Sequence, residues 1–70
     1  MLFDAEKFAA NLRAERARRD MSQEELADAS GVSVASIAMY ESGDTGPLLK
    51  SAVSLASALG VTVNDLVGWA

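Results

Sequence analysis

Apolar and polar positions follow one another along this chain with the spacing of short amphipathic helices, and glycines separate the segments. In the first segment, Phe8 and Leu12 recur at helical spacing. Asp4 is a suitable N-cap for this segment, because a carboxylate can accept a hydrogen bond from a free backbone N–H of the first turn. The pattern therefore predicts a first helix from Asp4 to about Arg19.

Two further short helices are predicted in the middle of the chain. Ser22 and Glu25 have the three-residue separation of a capping box, in which each side chain bonds the other residue's backbone N–H. Gly31 stands where a helix of this length needs a residue in the left-handed conformation. Ser33 caps the next segment, which stops at Gly43. The predicted helices cover residues 23–30 and 34–42.

The last third of the chain predicts one longer helix and one short helix. Pro47 is a favoured first helical residue, because its fixed ring angle suits a helix and its missing N–H is not needed there. The apolar positions after it lead to Gly60, where the helix is expected to end. Thr62 and Asp65 are spaced for a second capping box, so a short final helix is predicted up to Val67. Five helices and no strand follow, and the predicted fold class is all-α.

The amino-acid composition limits which functions such a fold can have. Seventy residues suit one domain with a small core, so residues 1–70 are interpreted as a single domain. The chain has no cysteine and no histidine, which removes thiolate metal sites and the commonest general base. No catalytic constellation or metal-ligand spacing remains, so we expect neither an enzyme nor a cofactor. No apolar run approaches the roughly 20 residues of a transmembrane helix, which predicts a cytoplasmic protein without a membrane partner.

The middle segment, residues 23–43, has the pattern of a helix-turn-helix. Its four-residue turn would let the second helix cross the first steeply, as in proteins that place the second helix in the DNA major groove. Ala27 is small where the two helices approach each other, and Val32 fills the turn. Ile37 anchors the second helix in the core.

Residues at many independent positions resemble the lambda repressor/Cro (XRE) family. The resemblance covers about residues 8–67, with extensions at 1–7 and 68–70. It implies a compact five-helix lambda repressor-like domain with the helix-turn-helix at helices 2 and 3. It also implies a sequence-specific, repressor-like transcriptional regulator that binds double-stranded DNA as a dimer on an inverted repeat. The residues that carry it are Gln23, Leu26, Ala27, Gly31, Val32, Ser33, Ile37, Tyr40, Glu41, Gly43, Pro47, Leu55, Ala56, Leu59, Gly60 and Val61.

The resemblance also assigns roles to single residues. Gln23 would hold a phosphate at the start of helix 2, and Lys50 is the only basic residue near the loop that follows helix 3. Arg16 and Glu41 stand at the positions of an ion pair between helices 1 and 3, the alternative being two solvated surface charges. Val34, Ala35 and Met39 would face the bases, with serines beside them. The residues expected at DNA are Ser22, Gln23, Ser33, Val34, Ala35, Ser36, Met39 and Lys50.

Several residues depart from what DNA reading usually requires. Val34, Ala35 and Met39 cannot make the directional hydrogen bonds that polar side chains make to base edges, although they can touch thymine methyl groups. Asp44 places an acid in the loop where a phosphate would approach, and the formal net charge is −4. Four arginines within residues 13–19 are either an edge that contacts the DNA backbone or a solvated helix end satisfied by the helix dipole and by Glu15 and Asp20. The alternative function is therefore a protein-interaction module, with a protein partner, on a helix-turn-helix scaffold.

The C-terminal residues are apolar, and Ala70 ends the chain. Leu66, Val67 and Trp69 are a candidate dimer contact. The resemblance implies this, because the last helix often supplies a dimer contact in the lambda repressor/Cro family, and Trp is enriched at interfaces. The alternatives are that Trp69 folds back onto the domain or frays.

Overall fold

A computed structural model of the chain describes residues 2–69, and Met1 and Ala70 lie outside the described residues. Within them the chain forms five α-helices and no strand, so the all-α prediction is confirmed. The helices are α1 (Ala5–Arg18), α2 (Gln23–Ser30), α3 (Val34–Glu41), α4 (Leu49–Leu59) and α5 (Val63–Val67).

Side-chain caps fix the start of every described helix except α4. Two of these helices, α2 and α5, begin with complete capping boxes, in which Glu25 and Asp65 accept a hydrogen bond from the N-cap backbone N–H. Each cap satisfies a donor that the first helical turn leaves free and contributes about 1 kcal/mol. The predicted caps are therefore confirmed, and they are Asp4, Ser22, Ser33 and Thr62.

The predicted start of the fourth helix is wrong by two residues. Leu48, and not a residue before Pro47, is the N-cap, and its extended backbone (φ −64°, ψ 155°) places Pro47 outside the helix. The first helical hydrogen bond of α4 runs from the N–H of Ala52 to the carbonyl of Leu48 at 3.0 Å. Pro47 instead lines an apolar groove described below, so its contacts outweigh its preference for the first helical position.

The core is formed by apolar residues from all five helices. α1 packs on α3 and α5, α2 packs on α3 and α4, and α4 packs on α5. The ring of Phe8 meets that of Tyr40 edge to face, with centroids 6.4 Å apart. Full burial of one such side chain stabilises the fold by about 1.5–3 kcal/mol. The largest fully buried side chains are Phe8, Leu12, Leu26, Ile37, Leu55, Leu59 and Leu66.

This packing leaves α3 with one face in the core and one face outside. The molecule measures 31 × 21 × 20 Å, so an eight-residue helix on its surface forms a substantial part of one side. None of the helices within residues 2–69 is both long and apolar enough to cross a membrane.

Candidate nucleic-acid interface

The turn between α2 and α3 is held by local hydrogen bonds that its sequence supplies. Gly31 has φ +76°, and its N–H donates to the carbonyl of Ala27 at 2.9 Å. The N–H of Val32 donates to the hydroxyl of Ser30 at 3.1 Å. Val32 then packs against the core, and α3 begins two residues later. The turn therefore fixes the direction in which α3 leaves α2.

The two faces of α3 differ sharply in burial. Ile37 is fully buried, and Tyr40 and Glu41 are 7% exposed. On the other face Val34 is 42% exposed and Met39 is 49% exposed. Ala35 is exposed beside them. The structure thus brings the three residues expected to face bases onto one open surface, which we call the outer face of α3 (Val34, Ala35 and Met39).

The two serines at the start of α3 bond to each other. The hydroxyl of Ser33 accepts from the N–H of Ser36 at 3.1 Å, and the two hydroxyls share a hydrogen bond at 2.9 Å. One of the two hydroxyl protons is therefore used between the serines, and the other stays available to another acceptor.

Lys50 lies in the same cleft as these serines. The cleft is open, has a volume of about 290 Å³ and separates the helix-turn-helix turn from the first turns of α4. Among residues 2–69 the structure records no salt bridge for Lys50. A cation and a hydroxyl proton therefore stand beside the start of α3. The lining residues are Gly31, Val32, Ser33, Ser36, Lys50, Ser51 and Ser54.

Glu41, at the other end of α3, accepts hydrogen bonds from two helices. Nε of Arg16 is 2.8 Å from one carboxylate oxygen, and Nη2 of Arg16 is 3.0 Å from the other. A further Arg16 nitrogen donates to the carbonyl of Met21 at 2.8 Å. The side chains of Arg16 and Glu41 are 22% and 5% exposed, so the structure brings the pair together away from bulk water.

The ionisation of Glu41 follows from two opposing influences. Burial, the largest single influence, raises the pKa of the Glu41 carboxyl. The hydrogen bonds from Arg16 and Gln23, with the charges of Arg16 and Arg13, outweigh it, so the net pKa of Glu41 is lowered. The hydrogen bonds that Arg16 donates to Glu41 are the main reason that the pKa of Arg16 is raised. Both groups are therefore charged across the physiological range.

Gln23 is tied to the same carboxylate, which the sequence did not reveal. Its amide nitrogen donates to Oε1 of Glu41 at 3.0 Å. The sequence identified Gln23 and Glu41 separately, as a phosphate ligand and as an ion-pair member. The structure shows that one carboxylate orients both Arg16 and Gln23, leaving the second amide hydrogen of Gln23 for an outside acceptor.

The four arginines of α1 and its C-cap all have partners inside the molecule. Arg18 and Arg19 pair with Glu15 at 2.6 and 2.8 Å. Arg13 donates to the backbone carbonyl of Glu41. With Arg16 on Glu41, this arrangement favours the alternative of a helix end satisfied within the molecule over an edge reserved for DNA. For Lys7, as for Lys50, the structure records no salt bridge within residues 2–69.

Asp44 lies away from the cleft that contains Lys50. It lines a different open cleft, between α1 and the loop after α3, together with Glu6, Arg13 and Gly43. The acid that the sequence placed near an approaching phosphate is therefore on the α1 side of α3.

The C-terminal dimer contact expected from the sequence needs correction. Leu66 is fully buried and Val67 is 7% exposed, because both belong to the core. Trp69 is 39% exposed and folds back, with its indole N–H donating to the carbonyl of Leu2 at 3.3 Å. Of the three residues, only Trp69 presents a large surface to a partner.

Trp69 forms one wall of an apolar groove of about 240 Å³. Leu49 in this groove is 75% exposed, and Phe3 is 43% exposed. Val53 follows Leu49 by one helical turn on α4 and is 50% exposed. Val53 is therefore a neighbour of this surface, which we call the apolar groove and which is lined by Phe3, Pro47, Leu49, Ala52, Val63, Asn64, Val67 and Trp69.

In the part of the chain that the structure describes, no three acidic side chains converge in a way that would hold a metal ion. The acids of α2 include Glu25, whose carboxylate is already committed to the capping box.

Comparison with known proteins places this geometry among regulators. Residues 12–66 match the helix-turn-helix family HTH_3. The Vibrio cholerae cryptic phage CTXphi transcriptional repressor RstR is 37% identical over 60 residues, which cover 86% of this chain and 54% of RstR. The chain thus spans little more than half the length of this curated relative. The crystal structure of the restriction-modification controller protein C.AhdI from Aeromonas hydrophila has a TM-score of 0.83 and 32% identity, covering 89% of this chain and 94% of that one.

The same scaffold also occurs within larger chains. The structure of Streptomyces albus HEPD, solved with its substrate 2-hydroxyethylphosphonate and Fe(II), has a TM-score of 0.81 and 32% identity. The match covers 94% of this chain but only 15% of HEPD. The matches to RstR and C.AhdI cover far larger shares of those two proteins, 54% and 94% of their lengths.

Proposed function

Because this chain belongs to the helix-turn-helix family HTH_3, we propose that it is a sequence-specific, repressor-like DNA-binding regulator that binds an inverted repeat as a homodimer. The observation that carries this proposal is the outer face of α3. Its three side chains stand open to solvent while the opposite side of the same helix is locked into the core. A helix held in this way can enter the major groove of DNA.

Phosphate contacts would flank α3 on two sides. At the start of α2, backbone N–H groups, the Ser22 hydroxyl and the remaining amide hydrogen of Gln23 are donors that suit a phosphate oxygen. Beside the start of α3, Lys50 and the remaining hydroxyl proton of the Ser33–Ser36 pair are donors that suit a second phosphate. These contacts set the register of the protein on the duplex and leave base reading to the outer face of α3.

A homodimer would use the apolar groove. Phe3, Leu49 and Trp69 line this groove and expose large apolar surfaces, and contiguous patches of this kind mark interaction sites. A two-fold dimer presents two copies of α3, so its preferred DNA site is an inverted repeat.

The test is an unbiased selection of duplex DNA by the purified protein, at low and moderate salt. We expect enrichment of an inverted repeat. All four arginines have partners inside the molecule, so few cations remain for phosphate contacts. A plot of log affinity for the enriched duplex against log salt concentration should therefore fall with a slope of about 2–4 per protomer. Failure to enrich any sequence at either salt concentration would refute the proposal.

A second candidate function is a protein-interaction module on the same scaffold. The observations that favour it are the apolar chemistry of the outer face of α3 and the internal pairing of Arg13, Arg16, Arg18 and Arg19. An apolar helix face can enter a groove of a protein partner. A pull-down with the parent protein and with a Met39→Glu variant discriminates the two functions. The protein-interaction function is supported if only the parent recovers a partner and the DNA selection enriches no sequence. A cytoplasmic location is part of both candidate functions and stays a prediction.

A further inference from the structure

The outer face of α3 consists of hydrocarbon groups where a base-reading helix more often carries hydrogen-bonding groups. Val34 presents two methyl groups, Ala35 presents one, and Met39 presents a flexible thioether chain. None of these side chains contains an N–H or O–H donor. The outer face of α3 can therefore discriminate between ligand groups only by apolar contact.

The neighbouring hydroxyls do not replace the missing polar groups. The hydroxyls of Ser33 and Ser36 bond to each other, and the Ser33 oxygen also accepts from the Ser36 backbone N–H. Only one hydroxyl proton of the pair remains, and both serines line the cleft with Lys50, where a phosphate is the matching partner. Polar donors are thus gathered at the edge of α3, and its centre is left apolar.

In the major groove only one of the four bases carries an apolar group. Thymine presents its 5-methyl group there, whereas guanine, adenine and cytosine present hydrogen-bond donors and acceptors. An apolar side chain pressed against such a polar edge removes water without replacing its hydrogen bonds, which disfavours that base. A methyl group, in contrast, gains from the same contact.

We propose that the outer face of α3 selects its DNA site by packing Val34, Ala35 and Met39 against the 5-methyl groups of thymine. This inference rests on the proposed function, because it names the chemical group that the DNA-binding surface recognises. The flanking charge supports this occupant. Lys50 stands beside the start of α3, as expected when phosphates border the surface that the apolar residues occupy.

The test uses the duplex enriched by selection and replaces thymine by deoxyuridine, which removes the 5-methyl group and nothing else. Deoxyuridine is introduced one position at a time within a half-site, and in a flanking position as control. Each contacted methyl group should contribute about fourfold to affinity, so binding should weaken by that factor at the contacted positions and not in the flank.

Side-chain variants connect the effect to α3. Val34→Ala and Met39→Ala shorten exposed side chains, so both variants should fold like the parent. In each variant, the ratio of affinities for the thymine and deoxyuridine duplexes should fall towards one at the position that the shortened side chain contacts in the parent. This is a double-mutant cycle between a protein group and a base methyl.

The possible outcomes separate the inference from the proposed function. Tight binding to an enriched duplex that is indifferent to deoxyuridine at every half-site position would overturn methyl recognition and leave the DNA-binding function standing. Failure to enrich any duplex would overturn both. Deoxyuridine sensitivity that disappears in Val34→Ala or Met39→Ala would establish the inference.

Discussion

At the scale of single residues, Glu41 is the group on which the geometry of the interface depends most. Its carboxylate accepts from Arg16 on α1 and from Gln23 on α2, while its own backbone belongs to α3. One buried charge therefore fixes the relative positions of three helices. The sequence predicted its pairing with Arg16 through a family resemblance, but spacing alone could not reveal the third member, because Gln23 is 18 residues away.

Replacement of Glu41 by Gln should destabilise the fold by about 2–3 kcal/mol, because Arg16 would keep its charge in a partly buried position without a counter-charge. The amide group of Gln would also turn donors towards the donors of Arg16 and Gln23. Urea denaturation followed by circular dichroism measures the change. Glu15→Gln is the matched control, since it breaks an exposed ion-pair cluster, and we expect little change. Equal stability of both variants would contradict this role of Glu41.

The same pair predicts how stability depends on pH. Because the net pKa of Glu41 is lowered in the folded state, its contribution is present above the unfolded value of about 4.3 and is lost as pH falls through the folded pKa. The stability difference between the parent and Glu41→Gln should be constant from about pH 6 to 8 and should shrink below about pH 4. Urea denaturation at several pH values checks this. A difference that grows on acidification would contradict it.

At the scale of helices and turns, local chemistry predicted most of the architecture. The caps at Asp4, Ser22, Ser33 and Thr62 confirm the helix starts, and Gly31 adopts the left-handed conformation expected at the end of α2. These signals are reliable because each depends on one or two neighbouring residues. The start of α4 was misplaced because the position of Pro47 is set by tertiary contacts in the apolar groove, which a local pattern does not contain.

The start of α4 offers an improvement in stability. Leu48 is its N-cap, has the extended backbone of a cap, is 67% exposed and makes no capping hydrogen bond. A Leu48→Ser variant should be about 1 kcal/mol more stable than the matched Leu48→Ala variant, because only Ser can accept from a free N–H of the first turn. Thermal denaturation of the two variants measures the difference. Identical melting temperatures would show that α4 needs no cap.

At the scale of the whole molecule, the sequence grouped residues of one surface more reliably than it predicted which residues are available to bind DNA or a partner. The family resemblance named Val34, Ala35 and Met39 together, and the structure exposes all three on α3, while their contact with bases stays a prediction. The burial of Leu66 and Val67 was not predicted, because an apolar residue near a chain end can pack in the core or against a partner equally well. The contacts of Arg13 and Arg16 with Glu41 likewise depend on the distance between two helices, whereas Arg18 and Arg19 pair with Glu15 at local helical spacing.

The proposed dimer can be tested on the exposed side of α4. A Val53→Glu variant places a charge beside the apolar groove, and it should convert the dimer into a monomer in sedimentation equilibrium measurements. Met39→Glu is the matched control, with a similarly exposed residue and the same change in charge, and it should leave the mass unchanged. A parent protein that is monomeric at every concentration would contradict the dimer.

Nuclear magnetic resonance maps the DNA-contacting surface when the parent protein is titrated with its enriched duplex. If α3 enters the major groove, the largest backbone amide shifts should occur at residues 22–24, at residues 33–39 and at Lys50, with small changes along the solvent side of α1. Shifts concentrated on α1 or around the apolar groove, with the outer face of α3 unchanged, would contradict the claim that this chain reads DNA with α3.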